Sequence, residues 1–111
     1  MIQGLHGMFY STDAEATRAF LRDKLQFAHS DVGDGWLIFD PPEADLGVHP
    51  GDKPMHDMSF YTKDVAATVA ELKERGVAFT QEIQDCGYGL VTYFEMPGVG
   101  PVQLYQPKYK K

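Results

Sequence analysis

Displaced by 51 residues, the chain matches itself, and this repeat limits its possible folds more than any other feature. His6 to Lys24 reads HGMFYSTDAEATRAFLRDK and Asp57 to Arg75 reads DMSFYTKDVAATVAELKER. Seven of the nineteen positions are identical: Phe9/Phe60, Tyr10/Tyr61, Asp13/Asp64, Ala16/Ala67, Thr17/Thr68, Ala19/Ala70 and Leu21/Leu72. Average residue usage would give about one. A chance likeness between two amphipathic helices would explain the alanines but not the Phe-Tyr-x-x-Asp run before them. The chain has 111 residues, enough for one hydrophobic core. The reading is therefore one domain, 1–111, made of two similar halves about a pseudo-twofold axis, repeat 1 over about 1–50 and repeat 2 over about 56–107.

Each half opens with a short apolar or aromatic strand, Leu5 to Ser11 and Met58 to Thr62, and runs into a helix. Thr12-x-x-Glu15 fits a capping box with Asp13 in the first turn, and Asp64 can cap the second helix. Phe20, Leu21 and Leu25 supply one apolar stripe; Val65, Val69 and Leu72 supply the other, which Gly76 ends. Short strands follow each helix: Gln26 to Ser30, Trp36 to Phe39 and Asp45 to His49, then Val77 to Gln81, Leu90 to Glu95 and Val102 to Gln106. Pro50 to Met55 connects the halves. The order is βαβββ twice, an α+β fold.

Strand alternation sorts the two faces. Phe9, Leu46, Val48, Phe60, Val102 and Leu104 form an all-apolar set expected under the helices. His6, Met8, Tyr10, Gly47, His49, Asp57, Ser59, Tyr61, Gln103 and Tyr105 form a polar and aromatic set, expected to line the concave side of a curved mixed sheet. Such a concavity suits a small molecule. Tyr10, Tyr61, Tyr105, Ser59 and Trp36 are its candidate substrate contacts. The blander readings are sheet packing for Tyr10 and Tyr61 and a core or pocket wall for Trp36.

A net charge of −6 disfavours nucleic acid, whose phosphates repel an acidic surface. The basic tail Lys108-Tyr-Lys-Lys111 reads as a frayed, solvated terminus. One cysteine, Cys86, can form no internal disulfide and lacks an evident base beside it, so a nucleophilic role is not expected. No run approaches the ~18 apolar residues of a membrane span. The N-terminus lacks the pattern of a secretory signal. A cytoplasmic protein is expected. His29 reads as a surface residue, and Glu95 would serve as a base only if its strand turned it into the cavity.

The arrangement resembles the glyoxalase/bleomycin-resistance/extradiol-dioxygenase superfamily, also called vicinal oxygen chelate proteins. The resemblance covers essentially the whole chain. It rests on the Leu5-His-Gly-Met-Phe-Tyr-Ser-Thr-Asp13 strand, the Ala67 to Val77 helix with its Gly-Val exit, and the Pro97-Gly98 turn before the last strand. Segments Trp36 to Pro50 and Tyr88 to Thr92 are similar to those of short bacterial members.

The resemblance implies a divalent ion held by one side chain from each of four strands. The first position falls on His6, a match. The second falls on Gly47, which cannot ligate, with His49 two residues on as a substitute. The third falls on Asp57 and the fourth on Gln103, a weak neutral ligand where the family usually has Glu. His6, His49 and Asp57 would form a two-His-one-carboxylate set, which suits iron, manganese or nickel, with zinc a further candidate.

Two functions stay open at this point. One is a metal-dependent lyase, isomerase or dioxygenase, in which the ion chelates neighbouring substrate oxygens as a Lewis acid. The other is a metal-free sequestering or resistance-type protein that traps a planar or cationic compound between aromatic faces. Either is expected to act as a homodimer, as the family commonly does and as exposed sheet edges favour.

Overall fold

The helices follow from local chemistry. The computed structural model describes residues 1, 3 and 5–110. Helix α1 spans Ala14–Asp23 and helix α2 spans Val65–Glu74. Asp13 caps the first by accepting from the Ala16 amide at 3.1 Å, and Asp64 caps the second by accepting from Ala67 at 3.1 Å. The expected cap at Thr12 is replaced. Its hydroxyl donates instead to the Gly98 carbonyl at 3.2 Å, which leaves Asp13 to meet the free amides. Gly76, at φ +86°, ends the second helix as anticipated.

The strands make two separate sheets. β1 (Ala28–Asp31) and β2 (Leu37–Asp40) form an antiparallel hairpin in the first half. β3 (Phe60–Tyr61), β4 (Gln84–Asp85), β5 (Gly89–Met96) and β6 (Gly100–Pro107) form a four-stranded sheet in the order β3-β6-β5-β4. β3 runs parallel to β6, while β5 pairs antiparallel with both β6 and β4. The α+β class stands, with the curved sheet resolved into these two.

Three expected strands differ. Residues 5–11 and 45–49 are not strands, and Val77 to Gln81 contributes one bridge, Phe79 to Phe94. A strand exists only when a neighbour takes its backbone hydrogen bonds: Val77 to Gln81 exchanges just two with β5, Thr80 N to Tyr93 O and Glu95 N to Ala78 O, and among the described residues the other two segments make no ladder. Leu46 and Val48, expected under the helices, are accordingly 80% and 98% exposed.

The core lies between the helices and the four-stranded sheet. Phe94, Met96, Val102 and Leu104 face Val65, Leu72 and Val77, and Phe20 and Leu21 of α1 join them. Phe94 is the hub: its ring lies 5.8 Å from Phe20, 6.0 Å from Phe79 and 6.2 Å from Phe60. Phe9 and Phe60, half-buried, pack against this cluster as expected.

A turn fastens the first half to this core. The Gly98 carbonyl accepts from the Thr12 amide at 2.9 Å, and the Thr17 hydroxyl donates to the Pro97 carbonyl at 2.5 Å. Gly98 has φ +79°, and a Cβ there would lie 2.8 Å from the Asp13 nitrogen, so only glycine fits. The C-terminal tail is also fastened, contrary to the frayed end expected. The Lys108 amide donates to the Tyr88 carbonyl at 3.0 Å, and its ammonium pairs with Asp85. Lys111 lies outside the described residues.

Candidate functional site

The hairpin of β5 and β6 fixes one aromatic face. Counting outward from the Pro97-Gly98-Val99 turn, Glu95 stands opposite Pro101, Tyr93 opposite Gln103 and Val91 opposite Tyr105. Alternation puts these six on the side away from Phe94 and Leu104. Tyr61 pairs with Tyr105 across the parallel ladder and joins them.

Tyrosines then gather around Tyr105. Its ring lies 6.3 Å from Tyr61 and 5.7 Å, edge-on, from Tyr88. Gly89 permits this packing: a Cβ there would lie 3.1 Å from the Tyr105 ring and 2.6 Å from the Gln106 carbonyl oxygen. The hydroxyls are tied together. Gln103 Nε2 donates to Tyr88 Oη at 2.8 Å and to Tyr93 Oη at 3.2 Å. Tyr105 and Tyr109 share a hydrogen bond at 2.7 Å, and the Tyr61 hydroxyl donates to Glu43. Burial, the bond to Tyr109 and the nearby negative charge of Asp45 push the Tyr105 phenol above its ordinary value. It therefore stays protonated at neutral pH. Aromatic faces with fixed hydroxyls can hold a flat, partly polar molecule.

The other candidate positions lie elsewhere. Tyr10 is 88% exposed in the irregular segment before α1. Ser59 is exposed just before β3. Trp36 is half-exposed at the start of β2, with the Arg18 guanidinium 4.7 Å above its ring. Glu95 is on the aromatic face but exposed. Cys86 is exposed in the turn between β4 and β5. His29 is exposed, as expected.

The implied metal ligands are dispersed. His49 and Asp57, with Gly47 and His56, line one pocket of about 540 Å³ in the connection between the halves. His6 is exposed in the segment before α1 and is not part of that lining. Gln103 spends its amide on two tyrosines. Among the described residues, no three His, Cys, Asp or Glu side chains are grouped so as to hold a metal ion.

Tyr88, Tyr93, Tyr109 and Glu43 escaped the sequence reading. Tyr93 had a usable signal, because counting outward from the Pro-Gly turn sets it opposite Gln103, whereas Tyr88 and Tyr109 lie beyond the ends of that ladder. Glu43 had none; it reaches Tyr61 through an irregular segment.

Among the described residues, no helix is long and apolar enough to cross a membrane. Comparison with solved structures finds TnmS3, an antibiotic binding protein from Streptomyces sp. CB03234, at 27% identity and TM-score 0.66, with 88% of this chain and 89% of that chain covered. Lactoylglutathione lyase from Agrobacterium tumefaciens shares the fold at 18% identity and TM-score 0.56, with 87% of each chain covered. An integron cassette protein from the mobile metagenome of V. cholerae does so at 14% identity and TM-score 0.56, covering 92% of this chain and 98% of that one. No curated protein matches. The model of the Glyoxalase/Bleomycin resistance protein/Dioxygenase superfamily matches residues 5–100, so the chain belongs to that superfamily.

Proposed function

We propose that this protein binds a flat, aromatic small molecule against the Tyr61, Tyr88 and Tyr105 face without needing a metal ion, as a sequestering or resistance-type protein that works as a homodimer in the cytoplasm. One observation carries the reading. Gln103 stands where metal-dependent relatives usually bring a carboxylate, and its amide organises tyrosine hydroxyls instead. The raised pKa of Tyr105 supports binding over acid–base chemistry, because a phenol that is protonated at neutral pH donates a hydrogen bond and removes no proton. The likeness to TnmS3 supports the same reading.

A second reading, a metal-dependent lyase, isomerase or dioxygenase, draws on His49 and Asp57 lining one pocket. It requires His6 to join them around one iron, manganese, nickel or zinc ion, with Gln103 as a weak fourth ligand. Tyr10, Ser59 and Trp36 would touch the ligand only if the first half closed over the aromatic face.

Calorimetric titration with neutral 2-naphthol and cationic 9-aminoacridine tests the first reading, in EDTA and then with each metal. The expected result is saturable binding in EDTA that weakens about tenfold or more in Tyr105→Ala. Binding only with added metal, together with near-stoichiometric metal retention lost in His6→Ala, would replace it with the second.

A further inference from the structure

The aromatic face has a hydrogen-bond polarity, and Gln103 sets it. The Gln103 amide carries two hydrogens, and the phenols of Tyr88 and Tyr93 carry one each. The two bonds that join these groups, at 2.8 Å and 3.2 Å, use two of the four hydrogens. Two therefore remain, whichever way round the amide lies. With Nε2 donating to both phenols, the remaining hydrogens are those of the two hydroxyls. Among the described residues, neither hydroxyl passes its hydrogen to a further protein atom.

The fold places these hydrogens beside the rings. Tyr93 and Gln103 are half-buried opposite each other in the β5–β6 ladder, and Tyr88 is 48% exposed just before β5. Both phenol oxygens lie within hydrogen-bonding distance of one nitrogen, so their hydrogens serve one spot on the face. The Tyr88 ring meets the Tyr105 ring at 5.7 Å, which puts that spot next to the surface on which a flat ligand would lie. Accepting from the amide also polarises each phenol and makes it a stronger donor. A ligand that covers two such donors without an acceptor of its own leaves them unsatisfied, which costs affinity.

We infer that the ligand is a flat arene with a carbonyl oxygen on its edge, taken by the Tyr88 and Tyr93 hydroxyls, and that Gln103 is the positioning residue that turns both hydroxyls outward. A carbonyl oxygen accepts near the plane of its substituents and has room for two hydrogens, so it meets both phenols while the arene stays flat against the tyrosines. The inference rests on the aromatic-ligand reading above and narrows its ligand.

The test is equilibrium dialysis in EDTA with 9-fluorenone and with fluorene, the same flat frame without the oxygen. The quantity read is the ratio of the two affinities, measured on one protein, so a variant that merely folds less well does not move it. The ratio should favour fluorenone in the wild type and fall about tenfold in Tyr88→Phe/Tyr93→Phe, as expected for two neutral hydrogen bonds. Gln103→Glu should lower it by a similar factor, because a carboxylate has no hydrogen and draws both phenol hydrogens to itself. The infrared carbonyl band of bound fluorenone should lie at lower frequency in the wild type than in either variant, a shift that a purely structural role for Gln103 would not produce. A ratio that is unchanged in the double variant overturns the inference while leaving the aromatic site standing. Binding of 2-naphthol without any binding of fluorenone overturns it too. If fluorenone, fluorene, 2-naphthol and 9-aminoacridine all fail to bind the wild type, the aromatic site itself is refuted and the inference falls with it.

Discussion

Helices α1 and α2 match closely: ten residues each, each capped by an Asp that accepts from the amide three residues on. The strands around them differ. The segment before α2 pairs with β6, beside the long β5–β6 hairpin, whereas the described residues of the segment before α1 join no ladder. The surroundings explain the contrast. Helix hydrogen bonds close within four residues, so the same sequence gives the same helix twice. A strand's bonds are made by another segment, so the same Phe-Tyr pair gives a strand only where that segment is in place.

Even the helix entrances are secured differently. The Val65 amide of α2 donates to the Gln106 side chain at 3.0 Å, while α1 is held by the backbone of the Pro97-Gly98 turn. The second half is largely self-sufficient in its core. The first half borrows that core through Phe20 and Leu21 and leaves its own strand segments exposed.

The largest expected effect breaks that division at its centre. Phe94→Ala removes the ring that Phe20, Phe60 and Phe79 surround, and should cost about 3–5 kcal/mol in chemical denaturation. Val48→Ala, in the exposed segment between β2 and β3, should stay within about 0.5 kcal/mol. A comparable loss at Val48 would mean that the first half has a core of its own.

Gly98→Ala comes next. Its positive φ and the close Asp13 backbone predict about 2 kcal/mol of destabilisation, with faster amide exchange at Phe20. Gly47→Ala, where a Cβ meets nothing within 4 Å, is the control and should be nearly neutral. Asp13→Ala and Asp64→Ala should each cost about 1 kcal/mol, read by thermal unfolding. Unequal costs would show that the two helices contribute unequally to folding.

The smallest effect is on pH. Tyr105 has a raised folded-state value, so its contribution is complete below the unfolded tyrosine value near ~10 and is lost as pH rises through the folded one. Ultraviolet titration should show one late-ionising tyrosine, absent in Tyr105→Phe. Asp85 is shifted the other way by Lys108, with help from the Gly87 amide. Its contribution is present above the unfolded aspartate value and is lost as pH falls through the lower folded one. The tail contact at Tyr109 should therefore loosen in acid.

Much of the fold was legible in the residues. The 51-residue repeat, the Asp64 cap, the Gly76 stop and the β5–β6 hairpin all rest on contacts close in sequence, or on a turn that sets the register around it. Tyr61, Gln103 and Tyr105 shared a face on paper and share one in the fold. His6, His49 and Asp57 were aligned by strand alternation too, but alternation brings side chains together only if the strands pair, and theirs do not in the described chain.

The sequence by itself therefore determined the helices, the Asp64 cap, the hairpin and the place of Tyr61, Gln103 and Tyr105 on one face, all through local chain geometry. Tertiary structure alone decided which half kept its sheet, that Pro97-Gly98 and not Glu15 would secure the start of α1, and that Tyr88 and Tyr109 would close around Gln103 and Tyr105. Those outcomes depend on which distant backbone supplies a partner, and a strand pattern does not name its partner.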